Sequence, residues 1–289
     1  MRRTLILATF MVAGSLHATQ PTVAAIQDAT GFKGLPVGTG KLASIYGTNL
    51  ANVTEDTTGN PYPNIVSGTS VQFGTSSGWE YAPLVYLSPT QLNVQIPWTL
   101  DLTGQVIVTS PYGTADFSGP GASYEGWNYT ASPSYYLNNG TPIITLQNGT
   151  LYTGQALASG SYVSLWINGG GQTSPDQTTG YVDSGLAWFQ AGDFDYYVYY
   201  SSSENAIIGG TAPYCASGPN IVYDCATGSA VIRYAGESPG YLVLGQINLE
   251  LPTVTQSGTM YFAIALVAPT EYCYDNSSPG YVFSINMEP

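Results

Sequence analysis

Polar and apolar side chains alternate along Gln246-Ile247-Asn248-Leu249-Glu250-Leu251-Pro252, with Ile247, Leu249 and Leu251 on the apolar phase. The same pattern stands earlier, at Gln91-Leu92-Asn93-Val94-Gln95-Ile96-Pro97, with Leu92, Val94 and Ile96 in phase. A period of two predicts a β-strand with one face on a core. The closing proline has no N–H to give to a ladder, so it ends the strand or sits at an edge. Each copy follows a Ser-Pro pair, Ser88-Pro89 and Ser238-Pro239. Each precedes another strand-like run, Gly104 to Ser110 and Gly258 to Leu266. The chain reads as one β-module used twice.

A second pair of segments carries the same duplication. Gly40-Lys41-Leu42-Ala43-Ser44-Ile45-Tyr46 matches Gly160-Ser161-Tyr162-Val163-Ser164-Leu165-Trp166 at an offset of 120 residues. The Gln-x-Asn segments are offset by 155, so the later copy holds about 35 more residues between the two strands.

Further strands are expected at Thr22 to Ile26, Leu42 to Tyr46, Ser70 to Phe73 and Tyr81 to Leu87 in the first copy. In the second copy they are expected at Tyr162 to Ile167, Tyr196 to Tyr200 and Ala230 to Tyr234, with a hairpin around Asn148-Gly149. Residues 51–63 read as a polar loop and 118–134 as a linker. No window sustains a helical period. Many short strands separated by Gly, Pro, Asn and Ser turns imply β-sandwich packing.

The N-terminus has the marks of a secretory signal over residues 1–18: basic Arg2 and Arg3, a short apolar run from Thr4 to Leu16, and Ala18 for cleavage. The run is short for a membrane span, and no later stretch approaches spanning length, so membrane insertion is not expected. The protein is expected to be secreted, extracellular or on the cell surface. Cleavage would remove the single histidine, His17, and leave Lys33, Lys41 and Arg233 against eighteen acids, a formal charge of −15. That balance excludes nucleic acid as a partner and argues against anionic membranes. It also removes histidine-based catalysis and histidine metal sites.

Only 8% of the 289 residues are charged, so Ser, Thr, Asn, Gln, Gly and Tyr must form the polar surface. Such surfaces are common in secreted, adhesive or assembled β-proteins. Apolar residues reach 44% and alternate in order, which excludes disorder.

Export permits disulfides. Cys215 and Cys225 flank a turn-forming Ala-Ser-Gly-Pro-Asn stretch and are the favoured pair, with Cys273 free or bridging chains; pairing of Cys273 with either remains the alternative. A reactive thiol would need a nearby cation, and only Arg233 lies in that half. The acidic pairs Glu55/Asp56, Asp193/Asp195 and Glu271/Asp275 read as solvated loop acids rather than catalytic dyads. Asp193 and Asp195 are candidate calcium ligands, because an extended Asp-x-Asp places both carboxylates on one side, although no EF-hand spacing accompanies them. No other cofactor is expected.

The aromatics are more distinctive. In an extended Tyr196–Tyr200 segment, Tyr197 and Tyr199 share one face. Together with Trp127 and Trp188 they form a candidate aromatic interface for a protein or a glycan. Trp79 also lies in a loop-like context, whereas Trp98 and Trp166 are expected in the core.

Several of these segments together resemble an uncharacterised C-terminal domain family of secreted proteins from Solibacter and related acidobacteria. The residues that carry the resemblance are 40–49, 83–97, 148–149, 160–166 and 234–252. It implies tandem immunoglobulin-like β-modules on an exported protein with no assigned reaction. The chain departs from the pattern at the longer 187–227 segment and at Gly169-Gly170-Gly171, where the family has Gly-Leu-Gly.

The expected architecture is all-β: two tandem immunoglobulin-like β-sandwiches, at 19–130 and 131–289, with an extra segment near 187–227. The expected role is a non-enzymatic, self-assembling filament subunit. Thr22, Val23, Ala24, Ala25 and Ile26 would form the strand that adds to a neighbouring copy. The alternative is a carbohydrate-binding adhesin using exposed Tyr and Trp.

Overall fold

A computed structural model of the chain describes residues 19–30, 38–98, 102–118, 134–138, 141–171, 173–174, 176, 178–182, 185, 187–189, 195–202, 228–267 and 282–289. Among these residues the protein is all-β. All strand pairs are antiparallel except one short contact near the C-terminus.

The N-terminal half contributes β1 (Thr22–Asp28), β2 (Leu42–Thr48), β3 (Glu55–Asp56), β4 (Ile65–Val66), β5 (Thr69–Thr75), β6 (Gly78–Ala82), β7 (Leu84–Leu87), β8 (Gln91–Gln95), β9 (Leu102–Ser110) and β10 (Gly113–Phe117). One sheet runs β1-β2-β8-β7-β3 and the other β10-β9-β5-β4, with β6 also on β5. Ala43, Ile45, Leu84, Leu87, Leu92 and Val94 of the first sheet form one apolar cluster with Val71, Phe73, Val106 and Val108 of the second. A cluster drawn from both sheets makes this half a sandwich.

The C-terminal half contributes β11 (Ser134–Tyr135), β12 (Leu137–Asn138), β13 (Thr141–Pro142), β14 (Ile144–Leu146), β15 (Leu157–Ala158), β16 (Tyr162–Asn168), β17 (Thr173–Ser174) and β18 (Ala187–Phe189). It continues with β19 (Asp195–Ser201), β20 (Gly228–Ser229), β21 (Val231–Glu237), β22 (Leu244–Glu250), β23 (Gly258–Val267) and β24 (Val282–Glu288). Its sheets run β11-β16-β22-β21-β18-β17, with β14 also on β16, and β15-β24-β23-β19-β20. Val163, Leu165, Ile167, Ile247 and Leu249 face Phe262, Phe283, Ile285 and Met287 across a second cluster. The Phe262 and Phe283 rings stack there, 5.3 Å apart. Burying each such side chain stabilises by about 1.5–3 kcal/mol.

The Gln-x-Asn segments are β8 and β22, and their polar phase has a defined task. Asn93 Oδ1 accepts from Gln91 Nε2 at 2.8 Å and from Ser44 Oγ on β2 at 2.9 Å. Asn248 Oδ1 accepts from Gln246 Nε2 and from Ser164 Oγ on β16, both at 2.7 Å. Each triad ties two central strands on the face away from the core.

Several local expectations change. Glu55-Asp56 is not in a plain loop but pairs with Leu87 and Tyr86 as β3. Trp79 lies in β6, opposite Gly74. Trp166 is half-buried on the outer face, where its indole N–H donates to Thr145 Oγ1 at 3.1 Å. The reason is phase: Val163, Leu165 and Ile167 claim the core side of β16, so Trp166 must point the other way. Trp98 is also half-buried, packed over Gly40.

Candidate functional site

The two halves meet through polar groups that are almost wholly shielded from water. Asp28 ends β1 and is 2% exposed. The turn that follows folds back on it, so that Thr30 N and Thr30 Oγ1 donate to Asp28 Oδ1 at 2.9 and 2.6 Å. Lys41 precedes β2, and its Nζ reaches Asp28 Oδ2 at 3.1 Å. The C-terminal half supplies the remaining partners. Ser134 Oγ donates to Asp28 Oδ2 at 2.8 Å, and Asn168 Nδ2 donates to Asp28 Oδ1 at 3.1 Å.

Asn168, at the end of β16, also takes the place of a neighbouring strand for the start of β2. Its Oδ1 accepts from Leu42 N at 2.9 Å, and its Nδ2 donates to Leu42 O at 2.8 Å. Gly169 then lets the lysine stem pass. A Cβ there would lie 2.3 Å from Lys41 Cε, and the residue's φ of +77° itself favours glycine.

Two opposing effects act on each charge. Burial by itself would raise the Asp28 carboxyl, but the Lys41 charge and the donors from Thr30 and Ser134 outweigh it and hold the carboxyl below the usual carboxylate range. Burial holds the Lys41 ammonium below the usual lysine value, against the pull of Asp28. Burial, together with the negative charges of Asp28 and Glu237, pushes the nearby Tyr136 phenol up.

A strap from the C-terminal half makes a second contact. Asn60 reads the backbone of Val182 in both directions, accepting from Val182 N at 3.1 Å and donating to Val182 O at 3.0 Å. Tyr62 N donates to Gly180 O at 2.7 Å, and Gly180 N donates to the buried Gln95 Oε1 at 2.5 Å. Trp98 N donates to Thr179 Oγ1 at 3.1 Å.

None of these seam residues was marked by its sequence as a site. One signal was present: the repeat puts a charged residue, Lys41, where the second copy has Ser161, in a chain with few charges.

Thr22, Val23, Ala24, Ala25 and Ile26 lie in β1, which pairs with β2 of its own chain and has no second strand partner among the described residues. Trp188 lies in β18, and Tyr197 and Tyr199 lie in β19, which is paired along its length with β23. Asp195 opens β19. Trp127, Asp193, Cys215, Cys225 and Cys273 lie outside the described residues. An exposed aromatic pair does occur elsewhere. Trp79 and Tyr81 share the outer face of β6 at 43% and 39% exposure, and the indole rests against Gly74.

A cleft of about 390 Å³ opens between Ile144, Leu151, Tyr152, Gly154, Phe283 and Asn286, and among the described residues no acid, histidine or cysteine lines it. Among the described residues, no three His, Cys, Asp or Glu side chains gather as metal ligands would.

No family model matches the chain, and no curated protein matches it. Among solved structures, the crystal structure of the collagen adhesin from S. aureus aligns over 92% of this chain and 92% of that one, at 10% identity. The TM-score of that alignment is 0.15.

Proposed function

We propose that the protein is an exported, non-enzymatic structural subunit that polymerises head to tail. The observation that supports this reading is the polarity of the seam. The end of β16 in one half abuts the start of β2 in the other. The matching poles, the end of β2 near Thr48 and the start of β16 near Tyr162, lie on the surface. A contact between unlike ends does not close on itself, so repeating it between chains builds a line or a ring. The outer edge of β1 adds a backbone ladder that a neighbouring strand can extend. Electron microscopy of the purified mature protein should show regular polymers, and Thr48→Lys at the exposed pole should abolish them. A monodisperse monomer at high concentration sinks the reading.

A second reading, glycan binding, is favoured by the Trp79–Tyr81 face. Two exposed aromatic side chains on one strand, with Gln72 opposite Tyr81, suit a neutral saccharide. Polysaccharide pull-down lost in Trp79→Ala would support it, and retention unchanged by that substitution would sink it.

A further inference from the structure

The seam places an amine, a carboxamide and a carboxyl group in one sealed space. Lys41 is 1% exposed, Asp28 2% and Asn168 0%. The two oxygens of a single carboxylate divide the other two groups between them: Oδ2 takes Lys41 Nζ and Oδ1 takes Asn168 Nδ2, each at 3.1 Å. The carboxamide oxygen is held by Leu42 N at 2.9 Å. A donor at that oxygen is what an acyl-transfer site needs, because the oxygen gains charge when a nucleophile adds to the adjacent carbon. The amine and the oxygen's donor come from consecutive residues, Lys41 and Leu42, so one stretch of backbone sets both.

We propose that Lys41 and Asn168 form an intramolecular amide bond, with Asp28 as proton carrier, that joins the two halves covalently. Asp28 takes one proton from the Lys41 ammonium. The neutral amine adds to Asn168 Cγ, so the Nζ–Cγ bond forms while Leu42 N steadies the oxygen. The Cγ–Nδ2 bond then breaks as Asp28 returns its proton to Nδ2, and ammonia leaves. The last proton shed by Nζ, as it becomes an amide nitrogen, ends on Asp28. No oxidant, metal or co-reactant enters the balance.

Two features favour this chemistry here. Burial holds the lysine below its usual value, so the neutral amine is within easier reach than on a surface. Exclusion of water leaves Asn168 Cγ no competing nucleophile, and Asp28 holds the amine and the carboxamide on its two oxygens. The product also removes a buried charge pair, whose desolvation is a standing cost. The bond would span 127 positions of the chain, from 41 to 168, and act as a covalent clasp for a subunit under tension.

Intact mass spectrometry of the wild-type protein, against its measured N-terminus, should read one ammonia less than the sequence mass. A chymotryptic digest should yield a single branched peptide containing Lys41 and Asn168. Asp28→Asn, shown to be folded by circular dichroism, should read the full sequence mass. Wild-type protein at full sequence mass, with Lys41 and Asn168 on separate peptides, overturns the proposal. A folded Asp28→Asn that still loses ammonia overturns the role of Asp28. Both readouts are independent of polymerisation, so they stand or fall apart from the filament reading.

Discussion

The two halves share one central construction and differ at their ends. In both, β2 or β16 pairs with its Gln-x-Asn strand in the same register: Ser44 faces Asn93, and Ser164 faces Asn248. The next strand carries the same irregularity, a shift between Leu84 and Tyr86 in one half and between Ile232 and Tyr234 in the other. The entry turns agree as well. Gly40 and Gly160 have φ of +72° and +74°, and their N–H groups donate to Ile96 O and Leu251 O at 3.0 and 3.2 Å. At the ends the copies part. Lys41 corresponds to Ser161, Thr48 to Asn168, and Asp28, opposite Ala43, to Leu146, opposite Val163. The strand covering the first edge is the seven-residue β1, but the second edge is covered by the short β11 and β14, with the β12–β13 hairpin between them. Inward positions are bound by mutual packing, so duplication preserves them; pole positions are free to specialise, and here they became an interface.

The contrast is broken most sharply at Asp28. Measured against protein in which Lys41 and Asn168 are unlinked, Asp28→Ala should cost about 3–5 kcal/mol, because it leaves the Lys41 charge buried without its counter-charge. Urea unfolding measures it, and a loss below a surface pair's worth would show that the seam is not tight. Acid should act on the same residue. While Lys41 and Asn168 are unlinked, the Asp28 carboxyl is depressed in the folded state, so the unfolded chain binds more protons in the window between its folded and unfolded values. Its contribution is therefore complete above about pH 4 and falls away as the pH drops through the folded-state value. The slope of stability against pH should flatten in Asp28→Ala.

The twin glycines sharpen the comparison at constant backbone geometry. A Cβ on Gly40 would lie 2.2 Å from the Trp98 ring, whereas one on Gly160 has nothing within 4 Å. Gly160→Ala should lose only the left-handed backbone cost, about 1–2 kcal/mol. Gly40→Ala should add an overpacking cost of about 1–3 kcal/mol to the same backbone term. Equal melting shifts for the two variants would contradict the placement of Trp98.

The smallest effect belongs to the exposed ion pair. Arg233 sits at the shifted position of β21, where the N-terminal half has Val85, and pairs with Glu250 in solvent. Arg233→Ala should leave the melting temperature unchanged within error, in contrast to Asp28→Ala. A large drop would mean that the exposed pair does more than its surroundings suggest.

Much of the fold was legible because the alternation of side chains states which face of a strand is apolar. Leu92, Val94, Ile247 and Leu249 could be assigned inward from their period alone, and all four are at 0% exposure. The duplication was legible for the same reason, since both copies need the same phase. Phase also corrected one expectation: its place within a strand put Trp166 in the core, but its neighbours Leu165 and Ile167 decide that it faces outward. Sheet order and the seam were not legible. Asp28 and Asn168 stand 140 residues apart and meet only because β1 and β16 end at the same pole. Local periodicity encodes the direction of a side chain, which the sequence determines by itself. Which distant groups then share a dry space follows from how whole sheets dock, and only the tertiary structure decides that.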